Sequence, residues 1–206
     1  MQKGQLTRTA IIEQAFRSAT QVGFEQLSLA TLAADTNMSK SGLYAHFKSK
    51  EALQEAVLEH AMERFGEIVI NPAMRQRRGA PRLLALFDGY LAWLGGTVVE
   101  GRCIFMALSQ EYANRPGVIR DKVVQAFKDW HSTIVRVIGD AVDEGVLRAD
   151  TDAHQFAFEM EGIGMSFQSS FKLMGRASAE TMARRAFARL VNDLKENRAE
   201  PLVAAR

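Results

Sequence analysis

The stretch Leu29 to Leu53, LATLAADTNMSKSGLYAHFKSKEAL, limits the fold more than any other part of the chain. Ser28, Ser39 and Ser49 each stand just before a run with helical periodicity. A serine there can accept a hydrogen bond from an orphan backbone N–H of the first turn. Three such starts within about 22 residues predict short helices joined at steep angles by tight turns. After Ser28, Leu29, Leu32 and Ala33 fall on one face. Asp35-Thr36-Asn37 ends that helix, and Asn37 suits the left-handed conformation of a helix C-terminus. After Ser39, Leu43 and Phe47 turn inward at i,i+4, leaving Lys40, Ser41, Gly42, Tyr44 and His46 at the start and outer side. After Ser49, Lys50-Glu51-Ala52-Leu53 opens a longer helix.

The preceding residues complete a small domain. Thr7 is expected to cap a helix whose apolar positions Ile12, Ala15, Phe16 and Ala19 recur at i, i+3, i+4 and i+7. Gly23 ends it, and Phe24, Leu27 and Leu29 lead onward. Residues 7–53 thus predict a three-helix core with the Lys40–Phe47 helix at its edge. A helix-turn-helix presents such an edge helix to the major groove of DNA.

GFEQLSLATLAADTNMSKSGLYAHFKSKEAL resembles the N-terminal domain of tetracycline-repressor (TetR) type transcriptional regulators. The matching positions are Gly23-Phe24, Ser28, Ala33-Ala34, Ser39-Lys40, Leu43-Tyr44, His46-Phe47 and Ser49-Lys50-Glu51-Ala52-Leu53. With the preceding helix from Thr7 the resemblance covers about 47 residues, and its motifs are highly specific. Two positions depart from the pattern. The usual turn glycine is Asn37, which the left-handed argument accommodates. The residue after Lys40, often glycine, is Ser41, with Gly42 following. That second change falls among base-reading positions and leaves the operator sequence open. The stretch GRCIF…EYANRPGVIRD resembles, more weakly, the effector-binding body of some of these regulators.

A chain of 206 residues holds one or two domains with a sizeable core. No apolar run approaches the length of a membrane span, and MQKGQLTRTA lacks the apolar stretch of a signal peptide. A cytoplasmic protein is expected. The single Cys103 cannot form an intrachain disulfide, in keeping with a reducing compartment. Four scattered histidines and one cysteine offer no metal-ligand spacing, and no cofactor is expected. The net charge of +2 is uneven. Residues 1–50 carry six basic residues (Lys3, Arg8, Arg17, Lys40, Lys48, Lys50) against three acidic ones (Glu13, Glu25, Asp35), a net +3. The excess sits where DNA should lie. It is small, so affinity must come from two copies on one site.

The remainder has almost no strand signal, and the fold class is all-α, with about nine helices, three in the head and six in the body. Leu53, Val57, Ala61, Phe65 and Ile68 repeat at helical spacing, and Asn71-Pro72 should stop that helix. Arg75, Arg77 and Arg78 form a basic, solvated loop. Pro81 starts the next helix, with Leu84, Phe87, Leu91 and Leu94 on one side. A short helix follows Gly101, ending near Asn114. Pro116 opens a long helix to Gly145 carrying Val124, Phe127, His131, Ile134, Ile138 and Ala141. Asp150 to Asp152 caps a helix that runs to about Gly175, and Ser178 caps the last, which carries Ala183, Phe187, Leu190 and Leu194. The expected domains are a DNA-binding head at 7–53, a ligand-binding and dimerisation body at 54–197, and a frayed tail at 198–206.

The helix from about Ala153 to Gly175 carries two apolar faces where one buried face needs a single stripe. Phe156, Met160, Ile163, Phe167 and Phe171 make one stripe; Phe158 and Met165 lie on another side. Such a helix is expected to meet both its own core and a second subunit. Gly162, Gly164, Ser166, Ser169 and Ser170 would permit close approach. The resemblance implies the same, since TetR-type regulators dimerise through their last two long helices. The expected dimer residues are Phe156, Met160, Ile163, Phe167, Phe171, Phe187 and Leu190.

The DNA-facing set is Ser28, Thr31, Ser39, Lys40, Ser41, Gly42, Tyr44, His46 and Lys50. Tyr44, Lys50 and Thr31 suit phosphates; Ser39, Lys40, Ser41 and Gly42 stand nearest the base edges. Two roles are open to His46, a phosphate contact or a helix cap. Trp93, Phe105, Met106, Phe127, Trp130, His131, Phe158, Glu161 and Met165 are the candidate lining of an apolar effector cavity, although the aromatic residues also serve as core. His131 reads first as a core histidine with a satisfied hydrogen bond. Glu161 is either an interface ion-pair member or the polar anchor of a pocket. Cys103 reads as a small core residue rather than a redox sensor.

Three functions compete: a ligand-responsive repressor binding DNA as a homodimer, an all-helical enzyme, and a helical interaction module. No nucleophile–base pair, HExxH, phosphate loop or catalytically spaced carboxylate pair supports the enzyme.

Overall fold

The computed structural model describes residues 2–36, 38–97, 101 and 103–195, with side chains from Thr7 onward. Asn37, Arg102 and the 198–206 tail lie outside the described residues. All regular structure among the described residues is helical. The head comprises α1 (Gln2–Val22), α2 (Leu29–Asp35) and α3 (Lys40–His46). Next comes α4 (Lys50–Phe65), which runs through a π turn (Gly66–Ile70) into α5 (Asn71–Met74) as one continuous rod. The body is completed by α6 (Ala80–Leu94), α7 (Ile104–Glu111), α8 (Val118–Asp143), α9 (Ala153–Met174) and α10 (Arg176–Lys195). With α4, the π turn and α5 taken as one rod, nine rods are described.

Local chemistry accounts for the head. The Ser28, Ser39 and Ser49 hydroxyls accept from the backbone N–H of Thr31, Gly42 and Ala52 at 3.0, 3.1 and 3.0 Å. Gly23, at φ +104°, takes the left-handed turn that ends α1. Asp152 caps α9 by accepting from His154 and Gln155.

Three element boundaries differ from the sequence expectation. Helix α1 starts at Gln2, so Thr7 lies inside it rather than at its cap. Helix α10 starts at Arg176, directly after Gly175 at φ +86°, and Ser178 sits in its first turn. Pro72 does not stop the rod. A proline lacks an N–H and crowds the carbonyl four residues back. Here a wider π turn precedes it, with the Asn71 N–H bonded to the Gly66 carbonyl, and the rod continues to Met74.

One contiguous apolar core joins head and body. Helix α1 packs on α4, α8 on α4 and α9, and α9 most heavily on α10. Phe187 of α10 stacks on Phe87 of α6 with centroids 3.8 Å apart. Gly101 lies so close to the end of α1 that a Cβ would meet the Thr20 carbonyl oxygen at 2.5 Å.

Burial divides the residues expected at the dimer interface. Phe156, Met160 and Phe167, together with Phe187 of α10, are buried inside the subunit, while Ile163, Phe171 and Leu190 are partly buried. Phe158 is 69% exposed and Met165 56%, with Leu173 at 86% on the same side. The reason is the position of α6 and α8, which cover one stripe of α9 and leave the other. Gly164 serves the subunit's own packing, since a Cβ there would overlap the Tyr90 ring. Gly162 has nothing near it.

Candidate functional site

The head presents the start of α3 to solvent. Leu43 and Phe47 are buried beneath it, and Arg8 of α1 stacks over the Phe47 ring at 5.0 Å. This anchoring leaves Lys40, Ser41 and Tyr44 exposed, with Tyr44 at 44%. Thr31 and Ser39 are exposed beside them, and Gly42 and His46 are intermediate. Ser28 and Ser39 are already acting as caps. The Ser28 hydroxyl pairs with that of Thr31 at 2.7 Å, and Ser39 with Ser41 at 3.2 Å. Gly42 leaves room for its cap, because a Cβ would lie 3.1 Å from the Ser39 hydroxyl. Small hydroxyls, a lysine and a phenol on the first turns of one helix can donate to base edges and phosphates.

Lys50 is placed differently from the expectation. Its ammonium donates to the Glu25 carbonyl at 2.7 Å and lies 3.5 Å from the Glu25 carboxylate. Sequence spacing could not show this partner, 25 residues away. Lys48 is exposed at the turn between α3 and α4, and its position in the sequence did not single it out.

Glu25 is also a point where body meets head. The Tyr112 hydroxyl, just after α7, donates to its carboxylate at 2.7 Å, and Arg115 lies 3.0 Å away. The Glu25 N–H donates to the Glu111 carboxylate at 3.3 Å. The Tyr112 hydrogen bond, reinforced by Lys50 and Arg115, holds the Glu25 carboxyl below its ordinary value. The Tyr112 phenol is raised by burial and by that same carboxylate.

In the body, a cavity of about 230 Å³ opens between α4, α6, α7 and α8. Phe105, Met106, Phe127 and Trp130, named among the candidate lining residues, border it. Met62, Phe65, Ile70, Tyr90 and Cys103 line it too, and the sequence reading did not place them there. The Phe65 stripe was visible, but its direction depended on α6 and α7. Phe65 sits edge-on to Trp93, Phe105 and Trp130 at 5.2, 5.7 and 5.0 Å between centroids. Trp93 therefore backs the cavity rather than facing it. Burial pushes the Tyr90 phenol and the Cys103 thiol up, so both are neutral at physiological pH. The neutral thiol fits the reading of Cys103 as a packing residue.

The other expected cavity residues lie elsewhere. His131 turns toward α9, with Nδ1 3.3 Å from Glu161 and Nε2 3.1 Å from His154 Nδ1. Burial raises the Glu161 carboxyl, and His131 opposes that shift. Phe158 and Met165 are on the outer face of α9. They are too far round that helix to reach the cavity.

The likeness to known proteins agrees with this architecture. The model for bacterial regulatory proteins of the tetR family matches residues 11–57. The tetracyclin repressor-like C-terminal domain model matches residues 79–187, more than half of the chain. The chain belongs to the TetR family. As a TetR-family transcriptional regulator, it carries the family's helix-turn-helix at α2–α3. Comparison with curated protein sequences gives no match. Among solved structures, a TetR regulator from Chloroflexus aurantiacus is similar at 22% identity and TM-score 0.79, covering 93% of this chain and 96% of that one. AibR, solved with isovaleryl coenzyme A and operator DNA, is similar at 25% identity and TM-score 0.72, covering 89% and 97%. A regulator from Saccharomonospora viridis, solved with choline, is similar at 19% identity and TM-score 0.74, covering 94% and 97%. Among the described residues, no helix is long and apolar enough to cross a membrane.

Proposed function

We propose that this TetR-family protein is a cytoplasmic homodimeric repressor that leaves its operator when a small, largely apolar effector enters the body. The observation that carries the reading is the position of the apolar cavity against the rod that bears the head. Phe65, just before the π turn of that rod, and Ile70, the last residue of the turn, are cavity walls. A ligand pressing on them acts on the element that sets the spacing of two heads. That spacing must match about 34–36 Å, or a multiple, for both α3 helices to enter successive major grooves. The effector shifts the balance only by its differential affinity for the two spacings, typically about 1–3 kcal/mol. AibR, whose structure holds both a ligand and operator DNA, supports the same pairing of sites.

The head at 7–53 binds DNA and the body at 54–197 binds effector and partner. Lys40, Ser41 and Gly42 approach base edges; Thr31, Tyr44 and Lys48 meet phosphates. The partner is a second copy, seated on the exposed side of α9 that carries Phe158, Met165 and Leu173. A lone subunit would leave this apolar face in water. The test is fluorescence anisotropy with the DNA upstream of the protein's own gene. A salt-dependent, sequence-selective complex of two subunits is expected. Equal affinity for all DNA, or a one-subunit complex, would overturn the reading.

A further inference from the structure

The apolar cavity has a neighbour along the same pair of helices. Phe105 and Met106 of α7 and Trp130 of α8 border the cavity. Further along both helices, Leu108, Ser109, Val123 and Val124 border an open, mostly apolar groove of about 280 Å³. Phe127 of α8 borders both hollows, and it is the residue they share.

Phe127 differs from the other aromatic residues around the cavity. The rings of Phe65, Trp93, Phe105 and Trp130 pack on one another and hold each other in place. Among the described residues Phe127 has no ring partner, and it is 38% exposed. A helical phenylalanine has two accessible χ1 positions, and an exposed side chain exchanges them within nanoseconds. The ring can therefore turn without movement of the α8 backbone. Size makes the turn matter. An apolar cavity of about 150 Å³ takes one benzene ring. At that density about 230 Å³ takes about nine heavy atoms, and the groove adds room for about as many again.

We propose that Phe127 is a movable partition, that cavity and groove form one elongated site, and that the effector is a chain-like apolar molecule longer than about nine heavy atoms. This rests on the reading of the cavity as the effector site. It goes further in naming the shape and length of the ligand and the residue that divides its site.

The test is a homologous series, 1-hexanol, 1-octanol, 1-decanol and 1-dodecanol, each used below its solubility limit. Binding to the full-length protein without DNA is read from tryptophan fluorescence, since both tryptophans stand at the cavity. Octanol by itself fills the cavity. Each methylene buried is worth about fourfold in affinity. In the wild type the affinity should keep rising by about that factor per methylene through dodecanol. Val124→Trp fills the groove and leaves the cavity untouched. In that variant octanol should bind within about twofold of wild type, and dodecanol should gain nothing over octanol. Should Val124→Trp not fold, Ser109→Leu narrows the same groove and decides. A wild-type series that levels off at octanol would show a fixed wall at Phe127 and overturn the proposal. So would a dodecanol gain that survives filling of the groove, or no binding of any alcohol. DNA affinity measured with the same alcohols keeps the underlying reading separate. Chain binding that leaves DNA affinity unchanged would defeat effector release while the two-part site stands. Levelling at octanol, with octanol releasing DNA, would do the reverse.

Discussion

The Tyr112 hydroxyl donates a 2.7 Å hydrogen bond to the carboxylate of Glu25, tying the end of α7 to the turn between α1 and α2. Helix α7 also supplies Phe105 and Met106 to the cavity. One short helix therefore touches both the proposed effector site and the head, a physical connection that a displacement of α7 would strain.

Tyr112→Phe should lower stability at pH 7 by about 1 kcal/mol, a charge-assisted hydrogen bond discounted for the exposed carboxylate. The Glu25 pKa is depressed on folding. Its contribution is thus present above the ordinary value of 4.5 and lost as the pH falls through the lower folded value. Thermal melts of both proteins should differ at pH 7 and converge well below pH 4.5. A difference that persisted unchanged in acid would show that the phenol acts by packing alone.

Lys40, Lys48 and Lys50 should separate by role. Lys40→Ala should alter sequence preference, costing about 1–3 kcal/mol at one base pair. Lys48→Ala should weaken binding to all DNA alike and reduce the salt slope by about one. Lys50→Ala should leave that slope intact and reduce head stability, because its ammonium is held by Glu25. Anisotropy titrations at several salt concentrations measure all three. A reduced slope for Lys50→Ala would mean that the lysine leaves Glu25 for a phosphate.

Phe158→Glu and Phe167→Glu should fail in different ways. The first places a charge on an exposed face and should give a folded monomer in sedimentation. The second places one in the core, where Phe167 is 2% exposed, and should abolish cooperative melting. A dimeric Phe158→Glu would exclude this face as the interface.

Glu161→Gln should raise the melting temperature at pH 8. The Glu161 pKa is raised on folding, so its favourable contribution holds below the ordinary 4.5 and is lost as pH rises through the folded value. The glutamine escapes that loss, and the gain over wild type should shrink toward pH 4. Destabilisation at pH 8 instead would show that the His131 contact outweighs the burial of the charge.

Much of the local structure was legible in the residues themselves. Capping needs only a side chain and an N–H three positions away, so Ser28, Ser39, Ser49 and Asp152 announce their helices without help from the rest of the chain. The exposed start of α3 follows from its own period, with Leu43 and Phe47 inward and Lys40, Ser41 and Tyr44 outward. Tertiary structure decided what depends on distant neighbours. Helix α9 has two apolar faces, and the positions of α6, α8 and α10 determine that Phe156 and Phe167 go inside while Phe158 and Met165 stay out. Phe65 and Tyr90 share a cavity because α4 and α6 pack together, and Lys50 loses its freedom to a carbonyl that lies in another turn. Periodicity reports that a residue must be buried or bound, but its partner is set by how the helices pack.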